Sequence, residues 1–163
     1  ETNDEGKENL FAGRCDVYTT DASGLSSTRA AAANPDKWVV LPEIISKEPL
    51  GPLVRHGDHQ WGDVVRWSLN AMIIAEELGV TSENVDAQKS SNVPEVLRLL
   101  GVEGSYGEML ELAPDWAYQI IKQIGNYSES YEANVGPDTP LEIARGLNAL
   151  WTQGGILYAP PFR

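Results

Sequence analysis

Cysteine is nearly absent from this 163-residue chain: Cys15 stands alone, which excludes an internal disulfide framework and any CxxC metal site. Basic residues are also scarce, with 12 Lys and Arg against 24 Asp and Glu and a formal charge of −12. Nucleic-acid binding needs Lys and Arg to neutralise phosphate, so that class is excluded, and an anionic membrane surface is disfavoured for the same reason. Long apolar runs are missing. The longest, Leu69 to Leu78, is interrupted by Asn70, Glu76 and Glu77 and is too short to cross a bilayer. The acidic opening Glu1-Thr2-Asn3-Asp4-Glu5 is the opposite of a secretory leader, so either the protein is cytosolic or its beginning lies elsewhere. Neither GxGxxG nor GxxxxGK[ST] occurs, which removes the phosphate-cradling loops. What is present is 42% hydrophobic residues and five Trp, enough to fill the core of one domain.

The local patterns predict a helix over Asp4–Ala12 stopped by Gly13, a strand over Cys15–Thr20, a helix over Ala22–Ala33 and a buried strand over Trp38–Leu41 ended by Pro42. Cys15 falls on the apolar alternation with Val17, as a buried free thiol would. This alternation of helix and strand has the rhythm of a parallel α/β sheet. Ile44 to Val54 contains Pro49, Gly51 and Pro52 and reads as a connector between two bodies. Beyond it, Asp58 caps a long helix to Leu78 with Trp61, Val65, Leu69, Met72 and Ile73 on one stripe and Gly79 at its end. Shorter helices follow at Ser82–Lys89, Pro94–Leu100, Pro114–Ile124, Ser128–Asn134 and Pro140–Gly146, and the tail Gly154–Arg163 reads as extended.

Several clusters have plain readings. His56-Gly57-Asp58-His59 is a helix start with two surface imidazoles, since no third or fourth metal ligand lies near it. Glu76-Glu77 point about 100° apart on their helix and read as a solvated face. The Trp residues fall on periodic positions and read as core. Asn126-Tyr127-Ser128 is formally a glycosylation sequon without supporting context. Thr20-Asp21-Ala22-Ser23-Gly24 lacks the first Gly of a nucleophile elbow, which speaks against a serine hydrolase. Asp21 itself has two possible jobs. It can cap the following helix, or it can present negative charge at the carboxyl edge of a sheet, where open α/β folds place ligand groups.

Gly13-Arg14-Cys15-Asp16-Val17-Tyr18-Thr19-Thr20-Asp21, Leu41-Pro42-Glu43-Ile44-Ile45-Ser46-Lys47-Glu48-Pro49-Leu50-Gly51-Pro52, Asn84-Val85-Asp86, Gly125-Asn126-Tyr127 and Ala144-Arg145-Gly146-Leu147-Asn148-Ala149-Leu150-Trp151 closely resemble the general L-amino-acid-binding subunits of bacterial ABC transporters, the type II periplasmic solute-binding proteins. The resemblance covers nearly the whole chain. It implies an α/β fold: part of a two-lobe clamshell, with a parallel-sheet fragment and a hinge strand, followed by a mostly helical C-terminal tail. Family members are roughly twice as long, so the chain is expected to be a C-terminal half, with the signal peptide and most of the first lobe outside it. On that mapping residues 1–46 belong to the smaller lobe, 47–53 form the hinge crossover, and 54–163 return to the first lobe and its tail.

The resemblance further implies that Asp21 accepts the α-ammonium group of an L-amino acid and that Thr20 lends a hydroxyl. Lys47, Glu48 and Pro49 map to the crossover and the cleft floor. The family's Arg for the α-carboxylate lies outside the chain. The implied protein is a periplasmic receptor that hands its ligand to a membrane permease, with no enzymatic activity, no metal and no cofactor. Two other readings remain: an enzyme of the cyclic-acid dehydratase kind on the same scaffold, or a structural helical domain without ligand. If half of each lobe lies outside the chain, the stripe from Trp61 to Ile73 and one sheet edge are expected to be exposed.

Overall fold

A computed structural model describes residues 2–47 and 49–162; Glu48, one of the expected crossover residues, lies outside them. The chain divides into two compact units. One runs up to Leu50 and takes in Val135–Ala144; the other comprises Gly51–Asn134 and the chain from Arg145 onward. The division after Leu50 falls within the stretch 47–53. Segment 135–144 belongs to the first unit, a return that the linear partition read from the sequence did not contain.

In the first unit, α1 (Asn3–Phe11) begins with a capping box in which Thr2 and Glu5 satisfy each other's backbone N–H groups. Helix α2 (Ala22–Ala30) begins at Asp21 and ends at Ala31, shorter than expected. Gly6 lets the Tyr18 ring lie directly on α1, since a Cβ there would sit 2.8 Å from the ring, and the Tyr18 hydroxyl donates to Asn3 Oδ1. Phe11 meets Trp38 edge to face at 5.1 Å. Arg29 on α2 donates to Glu142 at 2.6 Å and so ties segment 135–144 into this unit. No described apolar side chain here is fully buried. The buried ones are Ser26 and Thr28.

The expected sheet is the main correction. No strand occurs among the described residues, and the β-bridge recorded is an isolated parallel pair, Leu150 and Leu157, in the second unit. A strand exists only as one side of a hydrogen-bonded ladder, and no described segment offers Cys15–Thr20 or Trp38–Leu41 a partner. Their apolar side chains are accordingly uncovered: Val17 is 68% exposed, Val39 79% and Leu41 64%. Cys15 is half-buried rather than buried.

The second unit holds the core. Helix α3 (His59–Glu77) starts where Asp58 accepts from the Trp61 N–H at 3.1 Å. It ends at Gly79, whose φ of +67° closes the helix in the left-handed region. It packs on α5 (Pro94–Leu99), α7 (Trp116–Ile124) and α8 (Tyr127–Asn134), with α4 (Val85–Gln88) against α7. Leu99, Leu100, Ile121, Val80 and Val85 are sealed from solvent; burying a side chain of this size contributes about 1.5–3 kcal/mol. Helix α6 (Tyr106–Met109) was not foreseen, and Pro140–Gly146 forms no helix.

The face that α3 buries differs from the expected stripe. Val64, Trp67, Ala71, Ile74, Ala75 and Leu78 face the core, while Trp61 and Leu69 lie exposed and Val65 and Met72 are half-buried; of the predicted stripe only Ile73 is buried. The helix is apolar on two sides, and periodicity alone cannot choose between them. Trp61 and Trp151 likewise leave the expected core, whereas Trp116 is buried and Trp67 stacks on Phe162 at 5.3 Å. Phe162 also meets Tyr106 and Trp116, so the tail supplies a central core residue.

Glu76 departs from the expected solvated face, whereas Glu77 is exposed as expected. Arg145 NH2 donates to both Glu76 oxygens at 3.0 Å, with the two side chains only 16% and 9% exposed, and its guanidinium lies over the rings of Tyr127 and Tyr131. Glu77 accepts from Trp151 Nε1 at 3.1 Å. Asn126 is buried, its side chain donating to the Val80 carbonyl and accepting from the Glu129 N–H, so the folded sequon offers no free amide. Burial would raise the Glu129 carboxyl, but hydrogen bonds from Ser82 and from the Asn126 N–H outweigh it and hold the group below its ordinary value. No described helix is long and apolar enough to cross a membrane.

Replacing Arg145 by Met leaves Glu76 charged and shielded from water, a change that costs about 3–5 kcal/mol. The whole protein carrying Arg145→Met is expected to show a lower urea midpoint, and Arg145→Lys a smaller loss because the ammonium keeps the charge but not the fork. Equal midpoints for wild type and Arg145→Met would remove the pair from the account of stability.

Candidate functional site

Asp21 occupies the junction where the irregular segment after α1 turns into α2. Its extended backbone, with φ −60° and ψ 151°, aims the carboxylate back over the first turn of the helix. The Gly24 N–H donates to Oδ2 at 2.8 Å and the Ser23 hydroxyl to the same oxygen at 2.6 Å. Oδ1 receives only the Thr20 hydroxyl, at a long 3.3 Å. One oxygen is therefore committed to the helix terminus and the other has most of its acceptor capacity left. The capping role and the ligand role do not compete for the same lone pairs.

The surroundings keep this group ionised. The Ser23 hydroxyl, then the Gly24 N–H, hold the Asp21 carboxyl below its ordinary value of 3.8. An anion at a helix N-terminus is also favoured by the positive end of the helix dipole. Gly24 makes room for a close approach: a Cβ there would lie 3.0 Å from Oδ1 and 3.2 Å from Oδ2, so the carboxylate would have to shift by a few tenths of an ångström. Ser23 and Gly24 are site residues that sequence reasoning passed over. The signal was available, since an N-cap carboxylate accepts from the backbone N–H of the second or third helical residue, here Ser23 or Gly24.

Among the expected site residues, the structure brings Thr20 and Asp21 together. Lys47 and Pro49 are exposed, and no hydrogen bond or ion pair among the described residues joins either to Asp21. His56 and His59 are both exposed at the start of α3. No group of three or more metal-ligating side chains is found among the described residues.

Removing the Ser23 hydroxyl takes away the largest influence on Asp21, so Ser23→Ala is expected to move the Asp21 titration midpoint upward, read by carbon-13 NMR of the side-chain carboxyl. Because the folded-state value is depressed, the associated stability is present above the unfolded-state value and is lost as pH falls through the folded-state value. The stability lost with the Ser23 hydroxyl is therefore expected in full at neutral pH and to vanish at low pH, where Asp21 is protonated. A wild-type midpoint at or above 3.8 would contradict the geometry.

No family model matches the chain. Individual proteins do. It is 56% identical over 160 residues, 98% of its length, to the glutamate/glutamine/aspartate/asparagine-binding protein BztA of Rhodobacter capsulatus, of which it covers 47%. It is 58% identical over 154 residues, 93% of its length, to the general L-amino acid-binding periplasmic protein AapJ of Rhizobium johnstonii, covering 45% of that protein. The whole chain superposes, with a TM-score of 0.93 and 52% identity, on 51% of an ABC transporter periplasmic binding protein from Brucella ovis that has glutathione bound. The chain spans about half the length of the curated relatives it matches. Along nearly its whole length it is similar to about half of two amino-acid-binding proteins and of an ABC transporter periplasmic binding protein.

Proposed function

We propose that the protein containing this chain is the substrate-binding component of an amino-acid ABC transporter, working in the periplasm and delivering its ligand to the membrane permease without catalysing a reaction. Asp21 accepts the ligand's α-ammonium group through Oδ1. The observation that carries this is the division of labour within one carboxylate: Oδ2 is saturated by the helix N-terminus, while Oδ1 is nearly free on a group held ionised. An ammonium offers three donors, and each charge-assisted bond to such an oxygen is about twice as strong as a neutral one. The amino acids for which BztA and AapJ are named support the ligand class.

Thr20 adds a hydroxyl beside Oδ1, and Lys47 and Pro49 belong to the crossover of a clamshell whose remaining half supplies the partner for the α-carboxylate. The same half provides the strands that cover Val17, Val39 and Leu41, completing the parallel sheet of the smaller lobe. Closure of the two lobes then excludes water from the ion pair, which strengthens it. Glutathione, bound by the Brucella ovis relative, fits this reading because its γ-linked glutamyl end keeps a free α-ammonium and α-carboxylate. Ligands are therefore expected to share that zwitterion and to vary beyond it.

Calorimetry of the whole protein with L-glutamate, L-glutamine and glutathione tests the assignment against Asp21→Asn. Asn caps helices as well as Asp does, so α2 should persist while the charge is lost. Affinity is expected to fall by about 30-fold or more, as for other truncated charge pairs. Unchanged affinity in a folded Asp21→Asn protein would refute the role, and conversion of any ligand into product would refute the receptor reading.

A further inference from the structure

In the second unit, a groove of about 220 Å³ opens between the end of α3, the start of α5 and the C-terminal tail. Ile74 and Phe162, both buried, form its floor. Trp151 and Tyr158 form its walls, meeting edge to face at 5.6 Å although each is more than half exposed. Glu77 and Glu95 complete the lining. Glu77 is pre-oriented, since Oε1 accepts from the Trp151 indole N–H at 3.1 Å. No described basic side chain lines the groove; Arg98, on the same helix as Glu95, donates instead through Nε to the Phe162 carbonyl at 3.2 Å.

Aromatic faces carry a negative quadrupole, and two such rings beside two carboxylates make a site for a positive charge that also has a flat apolar surface. The volume lies below the range of about 300–1,000 Å³ that holds a drug-sized ligand, so it suits one side chain and not a cofactor. A planar guanidinium matches best, because it stacks on aromatic rings while its N–H fork reaches a carboxylate. We propose that this groove is a docking site for an arginine side chain presented by a partner protein. The inference is independent of the amino-acid site: it uses none of the residues around Asp21 and concerns a cation held in a peptide chain, not a free zwitterion.

The test uses the whole protein, nitrogen-15 labelled, with the Trp151 indole resonance identified through Trp151→Phe. The probes are the blocked peptide acetyl-Gly-Arg-Gly-amide, the same peptide with neutral, isosteric citrulline in place of Arg, and choline. Blocked termini keep the peptides out of any site that needs a free ammonium and carboxylate. The arginine peptide is expected to shift the Trp151 resonance saturably, with a dissociation constant in the millimolar range and at least about fivefold tighter than the citrulline peptide. The double variant Glu77→Gln, Glu95→Gln should lose that preference while keeping the Trp151 N–H acceptor. The proposal is overturned by an unmoved resonance, by equal shifts with citrulline, by an intact preference in the double variant, or by choline binding as tightly as the arginine peptide.

Discussion

Arg145 is the first residue of the chain after it re-enters the second unit, and everything beyond it has to be laid over α3, α5 and α7 from that fixed point. The fixing is electrostatic. Its guanidinium grips both oxygens of Glu76, bonds the Asn148 carbonyl and lies over Tyr127 and Tyr131, so a charge with little water around it is satisfied on every side. From there the tail can turn tightly at Gly155, where any Cβ would fall 1.8 Å from the Ala149 carbonyl oxygen, and deliver Phe162 between Trp67, Tyr106 and Trp116. The Glu129 carboxylate plays a matching part in the first turn of α8, joining Ser82 and Asn126. Two half-buried carboxylates thus organise a body whose apolar core alone would not say where each helix begins.

The first unit is built on another logic. It lacks a described buried apolar side chain, yet Thr2 and Asp21 cap its two α-helices and Arg29 pairs with Glu142. Order there comes from local polar chemistry, and the apolar residues that alternate along it face outward. That combination suits a body that presents a charged group at a helix terminus while leaving its flat apolar surface for another layer to cover. The Asp21 carboxylate is the product of that arrangement: positioned by α2, ionised through Ser23 and Gly24, and open at Oδ1.

Local chemistry was legible in the sequence and tertiary choice was not. Asp21 and Asp58 were read as caps because an N-cap needs only its own next three residues, and Gly79 as a stop because a left-handed turn excludes most other residues there. Glu76 was misread because its partner lies 69 residues away, a distance at which no periodic pattern operates. The α3 stripe was misassigned because both sides of that helix are apolar, so the deciding fact is which neighbour reaches it. The strands failed for a related reason. Alternation marks a segment fit for a ladder, but the ladder needs a second segment, and none is described here. Of the candidate site, the capping position of Asp21 was legible, and the distinction between its two oxygens was visible only in the geometry.

What unites these findings is a division between scaffold and contact. Motif segments such as Gly125-Asn126-Tyr127 and Arg145-Gly146-Leu147 turn out to build the second unit, whereas the segment ending in Asp21 carries the carboxylate proposed to meet the ligand. The most direct measurement of that claim is a crystal structure of the whole protein with L-glutamine bound. The account predicts the ligand's α-nitrogen about 2.7–2.9 Å from Asp21 Oδ1, with Oδ2 still bonded to Gly24. A ligand held elsewhere, with Asp21 contacting only its own helix, would contradict it.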